Sequence, residues 1–128
     1  IALDCLTKIL GLGIGLTPTG DDFITGLLAS FSALQQLPSN FQQLAVLAKE
    51  RTNAVSYAEI HEAVNERFSQ LVQRVSLSIE SGNTNEMAQA VSALEEVGST
   101  SGSDILCGII FGLKLFCEEN NHDNSNSN

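Results

Sequence analysis

The chain has 128 residues, 43% of them hydrophobic, which suits a globular domain with a buried core. Its formal net charge is −9 at pH 7 with only six Lys and Arg, which excludes the basic surface of a nucleic-acid-binding protein and disfavours anionic membranes. We expect no signal peptide and no membrane span, because no apolar run reaches roughly 18 residues. The cysteines (Cys5, Cys107 and Cys117) form no C-x-x-C pair, which favours reduced thiols and a cytoplasmic location.

Apolar residues recur at helical spacing along most of the chain, and Gly or Pro follows the periodic stretches. The predicted helices cover residues 2–10, 21–37, 41–51, 53–81 (one long helix or two abutting ones), 85–96 and 103–118. Pro38 ends the second helix, and Ser39 or Asn40 caps the third. Thr84 caps the helix over 85–96. Since no alternating strands or hairpin dipeptides occur, the predicted fold is an all-α, compact helical bundle.

The domain boundary is expected near residue 117. Residues 1–117 are predicted to form one α-helical domain, whereas the polar, aromatic-free tail over 118–128 is predicted to be disordered. The chain begins at Ile1 without an initiator Met. We therefore expect it to be the C-terminal part of a longer protein, whose N-terminal half would contribute to any site.

Two glycine-containing segments match without gaps. TGDDFITGLLAS at 19–30 aligns with SGSDILCGIIFG at 101–112, sharing a hydroxyl, Gly, any residue, Asp, two apolar residues, any residue, Gly and two apolar residues. This pattern predicts an internal repeat that relates two central, buried helices. A glycine within a helix costs about 1 kcal/mol relative to Ala, so its presence in both segments suggests a close crossing at Gly26 and Gly108.

Each segment resembles a loop that feeds a helix N-terminus. Thr19 or Ser101 is placed to cap free backbone N–H groups, and an Asp in the first turn complements the helix dipole. Gly20 or Gly102 would let backbone N–H groups face a ligand. If the helices cross at their glycines, the two loops line one polar pocket. Its predicted residues are Thr17, Thr19, Gly20, Asp21, Asp22, Ser99, Ser101, Gly102, Ser103 and Asp104.

The expected ligand of this pocket is a small anionic metabolite held at helix N-termini. Asp21, Asp22 and Asp104 would repel a bare anion, so the hypothesis needs either a bridging Mg²⁺ bound by these three carboxylates or a ligand that also offers amide donors. Arg51 is a candidate partner for the anion. The alternative is that the acids are ordinary first-turn residues and the glycines are packing points.

Three motif blocks carry a family resemblance: GLGIGLTPTGDDFITGLL at 11–28, RTNAVS at 51–56 and VGSTSGSDILCGIIFGL at 97–113. Together they resemble the AllH-type family, named after a subunit of oxamate carbamoyltransferase, and this chain looks like its C-terminal half. The resemblance implies interconversion of carbamoyl phosphate and oxamate with oxalurate and phosphate, in purine-derived nitrogen catabolism. It also implies FdrA-type and AllG-type partner subunits, but no particular catalytic residue.

Two functions follow as expectations. The first is part of a carbamoyl or acyl transfer enzyme subunit acting on small anionic amides. The alternative is a non-catalytic anion- or metabolite-binding module that assembles or regulates a larger complex. A shortage of cations in this chain indicates that another domain or subunit completes the site.

Overall fold

The computed structural model describes the backbone of residues 3–126 and the side chains of residues 3–121. Within these residues there are seven α-helices and no strand, which confirms the all-α prediction. None of these helices has the length and apolar character needed to cross a membrane. The helices are α1 Leu3–Ile9, α2 Thr19–Ala33, α3 Gln42–Arg51, α4 Ala54–Val64, α5 Gln70–Ser81, α6 Thr84–Glu95 and α7 Ser101–Asn126, with a 3₁₀ turn at Ser39–Phe41.

Helix α2 ends earlier than the sequence predicted. Gln35 takes a left-handed backbone conformation with φ 57°, and the N–H of Gln36 donates to the carbonyl oxygen of Phe31 at 2.7 Å. This turn closes the helix at Ala33, before Pro38 is reached.

Two predicted caps differ from the observed ones. Ser39 and Asn40 lie in the 3₁₀ turn, and no side chain caps α3, because the tight turn leads directly into the helix. Asn83 rather than Thr84 caps α6, since its side-chain oxygen accepts from the N–H of Glu86 at 3.0 Å.

The periodic stretch 53–81 forms two helices rather than one. Glu66 has φ 61°, in the left-handed region, and this conformation ends α4. Ser69 then starts α5 by accepting a hydrogen bond from the N–H of Val72. The turn brings α5 against α2, and the two helices are in contact.

Helix α7 continues over residues 118–126, part of the stretch for which the composition predicted disorder. The physical reason is that neither Gly nor Pro interrupts this stretch, so the backbone hydrogen-bond ladder extends from the packed part of the helix. Residues 127–128 lie outside the described residues.

Helices α2 and α7 form the most extensive pairing among the described helices. They cross at Gly26 and Gly108, as the sequence predicted: a Cβ on Gly26 would lie 1.9 Å from the carbonyl oxygen of Ile105, and one on Gly108 would lie 2.0 Å from that of Phe23. Only a hydrogen at these positions allows the two backbones to meet.

The core lies on both sides of α2. Leu27 and Leu28 pack into a cluster with buried residues of α1, α3 and α4, whereas Ala29 packs with buried residues of α5, α6 and α7. Because α2 contributes to both clusters, it is the central helix of the bundle, and its position fixes where its polar N-terminal turn is presented.

Replacing Gly26 or Gly108 with Ala should lower the free energy of unfolding by roughly 1–3 kcal/mol, because the added methyl group meets rigid backbone atoms and forces the helices apart. Urea denaturation measures this change. The matched control is Asn85→Ala, which improves helix propensity at an exposed position of α6. If the glycine variants were as stable as this control, the helices would not depend on the close crossing.

Candidate functional site

The loops that precede α2 and α7 meet directly. The hydroxyl oxygens of Thr17 and Ser101 are hydrogen-bonded at 2.8 Å, and Thr19 Oγ1 donates to Asp104 Oδ2 at 3.2 Å. The glycine crossing explains this contact, since it brings the N-terminal turns of both helices to the same end of the pair. These hydrogen bonds join the first and third motif blocks. All four side chains belong to the set that the sequence analysis predicted to line one pocket.

The predicted capping role of Thr19 and Ser101 is not observed. Pro18 holds the cap position of α2, without a side-chain hydrogen bond, and the hydroxyls of Thr19 and Ser101 are used across the two loops instead. A hydroxyl at a helix start can bond to its own backbone or to a neighbouring segment. Here the neighbouring segment is close enough to take the bond.

Gly20 and Gly102 are packing positions. The N–H of Gly20 donates to the carbonyl oxygen of Leu12 at 2.9 Å, and the N–H of Gly102 donates to that of Val97 at 3.1 Å. The sequence analysis expected both N–H groups to face a ligand, but both are used within the fold. A Cβ on either glycine would lie 1.9 Å from a backbone oxygen of the preceding helix. The two glycines therefore allow each loop to fold tightly onto its own helix.

Asp22 is the buried acid of the site, with only 1% of its surface exposed. Burial raises the pKa of its carboxyl from 3.8 to about 6; the nearby hydroxyls of Ser101 and Thr17 oppose the rise, while the negative charges of Glu59 and Asp104 add to it. Its Oδ2 atom has no hydrogen-bond partner among the described residues. This enclosed acceptor therefore keeps spare hydrogen-bonding capacity, even though the Ser101 and Thr17 hydroxyls are near enough to lower the carboxyl pKa.

Asp21 has a different role from its neighbour, although it is also buried. Its Oδ1 accepts a hydrogen bond from the N–H of Gly11 at 2.8 Å, and its Oδ2 accepts a short one from the hydroxyl of Thr52. Asp21 thus ties the glycine-rich loop to the segment between α3 and α4. Each carboxylate oxygen of Asp21 thus accepts a hydrogen bond within the fold.

The three-carboxylate metal site that the sequence suggested is not assembled. Within the part of the chain that the structure describes, no group of three or more His, Cys, Asp or Glu side chains is placed to hold a metal ion. The reason is the direction of Asp21, which is engaged with Gly11 and Thr52, whereas Asp22 and Asp104 lie near the hydroxyls at the meeting of the loops.

The second motif block holds the first one in place. Asn53 Nδ2 donates to the carbonyl oxygen of Leu16 at 2.8 Å, and the Ser56 hydroxyl donates to the same oxygen at 3.3 Å. Arg51 Nη1 donates to the carbonyl oxygen of Thr7 at 3.2 Å. The guanidinium of Arg51 is thus placed against the end of α1, not beside Asp22.

The remaining predicted residues lie at the edge of the site. Ser99 precedes α7 and Ser103 lies in its first turn, and both are exposed. Among the described residues, neither side chain makes a hydrogen bond to the other predicted site residues.

A cavity of about 320 Å³ begins one turn along α2 from Asp22, and the sequence did not predict it. Its polar lining comes from Thr25, Glu59, Glu62, Arg67 and Ser69, and its apolar lining from Ala58, Phe68, Val72 and Ile105. Thr25 follows Asp22 by three residues, a spacing that puts both on one helix face. That spacing was the only signal in the sequence, because the other walls come from three different helices and the turn before α5.

The electrostatics of this cavity are dominated by carboxyl groups. The pKa of Glu59 is raised, first by desolvation, although much of the residue is exposed, and second by the negative charge of Asp21. Arg67 is paired with Glu62 through both its Nε and Nη2 atoms. The cavity therefore has no unpaired cation among its lining residues, and an uncharged polar group suits it better than an anion.

The family model described as oxamate carbamoyltransferase subunit AllH matches residues 9–113. The match includes all three motif blocks, both loops and every residue that lines the cavity. No solved structure matches the chain.

The raised pKa of Asp22 predicts a pH-dependent difference between the wild-type protein and Asp22→Asn. The folded pKa of about 6 exceeds the unfolded value of 3.8, so the folded state binds more protons between these pH values, and wild-type stability falls as the pH rises through this window. The Asp22→Asn variant has no carboxyl group at this position, so its stability lacks this pH-dependent contribution. Its free energy of unfolding relative to wild type should therefore increase by up to roughly 3 kcal/mol between pH 4 and pH 7.

Urea unfolding at pH 4, 5, 6 and 7 measures this difference, with Glu95→Gln on the exposed face of α6 as the control variant. A difference that stayed constant with pH would show that the pKa of Asp22 is the same in the folded and the unfolded protein.

Proposed function

The chain belongs to the oxamate carbamoyltransferase subunit AllH family, and on that premise we propose that it is part of a carbamoyl or acyl transfer enzyme acting on small anionic amides in nitrogen catabolism. In this proposal the loops that precede α2 and α7 contribute to the active site at the point where they are in contact. Oxamate and carbamoyl phosphate are the proposed substrates, and FdrA-type and AllG-type subunits are the proposed partners.

The observation that carries the proposal is the unpartnered Oδ2 of buried Asp22, placed where the first and third motif blocks meet. An unsatisfied buried acceptor costs roughly 1–3 kcal/mol, so a fold that retains one favours a role in binding. Oxamate and carbamoyl phosphate both carry amide N–H groups, which are the donors that this acceptor lacks.

The pKa of Asp22 also suits the chemistry of carbamoyl transfer. In the proposed step the amide nitrogen of oxamate attacks the carbonyl carbon of carbamoyl phosphate, a C–N bond forms, and the C–O bond to phosphate breaks. The nitrogen must lose one proton. A carboxylate that accepts a hydrogen bond from this nitrogen both orients it and takes the proton, and a pKa near 6 is within the range of a general base at neutral pH.

The anionic ends of both substrates require cations that the described residues near Asp22 do not supply. Asp104 and Glu59 add negative charge at Asp22, and Arg51 is engaged at the end of α1. We therefore propose that the phosphate and carboxylate groups are bound by residues of the partner subunits. Transfer of this kind depends on positioning and on charge stabilisation, which an interface can provide.

The same shortage of cations favours one alternative function. The chain would then be a non-catalytic metabolite-binding module that assembles or regulates the complex. In that case Asp22 would contribute to ligand affinity alone, whereas in the first proposal it also affects the chemical step.

The test is Asp22→Asn in the full-length protein assembled with its partner subunits. If Asp22 is the base, kcat for oxalurate formation should fall by roughly 10²–10⁴-fold while KM for oxamate changes little, because the Asn amide keeps the shape of the side chain and loses the proton acceptor. Glu95→Gln is the matched control, expected to keep full activity. A rise in KM with unchanged kcat would instead support the binding module.

A further inference from the structure

Thr25 has a hydroxyl that the fold leaves without a partner. Only 8% of the residue is exposed, and its Oγ1 makes no hydrogen bond to any described residue. A threonine in a helix commonly bonds to a backbone oxygen of the preceding turn, and Thr7 does so in α1. The Thr25 hydroxyl does not, and its residue lines the cavity between α2, α4, α5 and α7.

The other polar groups of the cavity are mostly committed. Glu62 is held by Arg67 through two hydrogen bonds, and the Ser69 hydroxyl accepts from the N–H at the start of α5. Glu59 forms no ion pair within the part of the chain that the structure describes. Among the polar lining groups, the Thr25 hydroxyl and the Glu59 carboxyl are therefore the two that make no hydrogen bond or ion pair with any described residue.

These two groups select for an uncharged group with both a donor and an acceptor. The hydroxyl can donate to a carbonyl oxygen, and the carboxyl can accept from an N–H. A ligand carboxylate would meet the charge of Glu59 with no unpaired cation nearby to offset it. The apolar walls formed by Phe68, Val72 and Ile105 suit a small planar group and reduce its contact with water.

We propose that this cavity is the subsite for the carbamoyl group (–CO–NH₂) of the substrate, with the carbonyl oxygen on the Thr25 hydroxyl and the NH₂ on the Glu59 carboxyl. The inference rests on the proposed function and deepens it. Thr25 lies about 4.5 Å further along the axis of α2 than Asp22. A ureido ligand would therefore place its terminal NH₂ in the cavity, its inner nitrogen near Asp22, and its anionic end toward the partner subunits.

The first part of the test uses the full-length protein without ligand. Thr25→Val removes the unpartnered hydroxyl and keeps the shape of the side chain, so the unfolding midpoint in urea should rise. Thr84→Val, at an exposed position of α6, is the matched control and should not raise it. A lower midpoint for Thr25→Val would show that the hydroxyl has a partner in the fold, and would overturn the inference.

The second part measures binding of two probes, oxalurate and oxalate, by calorimetry on the protein assembled with its partner subunits. Oxalurate carries a carbamoyl group and oxalate does not. Thr25→Val and Glu59→Ala should each weaken oxalurate binding at least tenfold and leave oxalate binding unchanged. Thr84→Val and Glu95→Ala should change neither. The combination of higher stability with weaker binding in Thr25→Val is a result that a purely structural threonine would not give.

The outcomes separate this inference from the proposed function. If both cavity variants bind oxalurate as tightly as wild type while Asp22→Asn still loses activity, the carbamoyl subsite lies elsewhere and the proposed function stands. If the wild-type assembly neither binds oxalurate nor forms it, the proposed function fails and the inference fails with it.

Discussion

The backbone contact between α2 and α7 at Gly26 and Gly108 is the constraint on which the rest of the structure depends. With a carbonyl oxygen about 2 Å from each missing Cβ position, no side chain fits at either position without moving a helix. The close contact brings the two N-terminal turns together, and the Thr17–Ser101 and Thr19–Asp104 hydrogen bonds follow from it. The polar site is thus a consequence of a packing requirement several residues away.

Asp21 and Asp22 illustrate how neighbouring residues in one helix take different roles. Successive residues on an α-helix point about 100° apart, so one acid is directed to Gly11 and Thr52 while the other is directed to the α7 loop. Both oxygens of Asp21 accept hydrogen bonds, and the residue connects two motif blocks. Asp22 is buried with an open acceptor, a combination that lowers stability and that packing alone does not explain.

The sequence predicted what depends on periodicity, and it failed where the tertiary structure decides. Apolar spacing located the helices, and two glycines inside apolar helices located the crossing. The roles of Thr19 and Ser101 could not be read in the same way, because a hydroxyl at a helix start bonds to whichever group lies nearest. Among the described residues the three acids of the metal hypothesis do not form one group, because residues adjacent in sequence do not share a helix face. The cavity beside Thr25 was missed because α4 and the turn between α4 and α5 supply most of its walls.

The two glycine-containing segments make corresponding backbone contacts, yet the residues around them differ. Gly20 and Gly102 each bond to a carbonyl oxygen in the loop before their helix, and each packs against the end of the helix that precedes it. The surroundings differ, however, because α2 also packs against α4 and α5, whereas α7 packs against α6. Thr25 is consequently buried beside the cavity, while its aligned counterpart Cys107 is exposed. Two segments with corresponding glycine contacts thus have different surroundings, because different helices pack beside them.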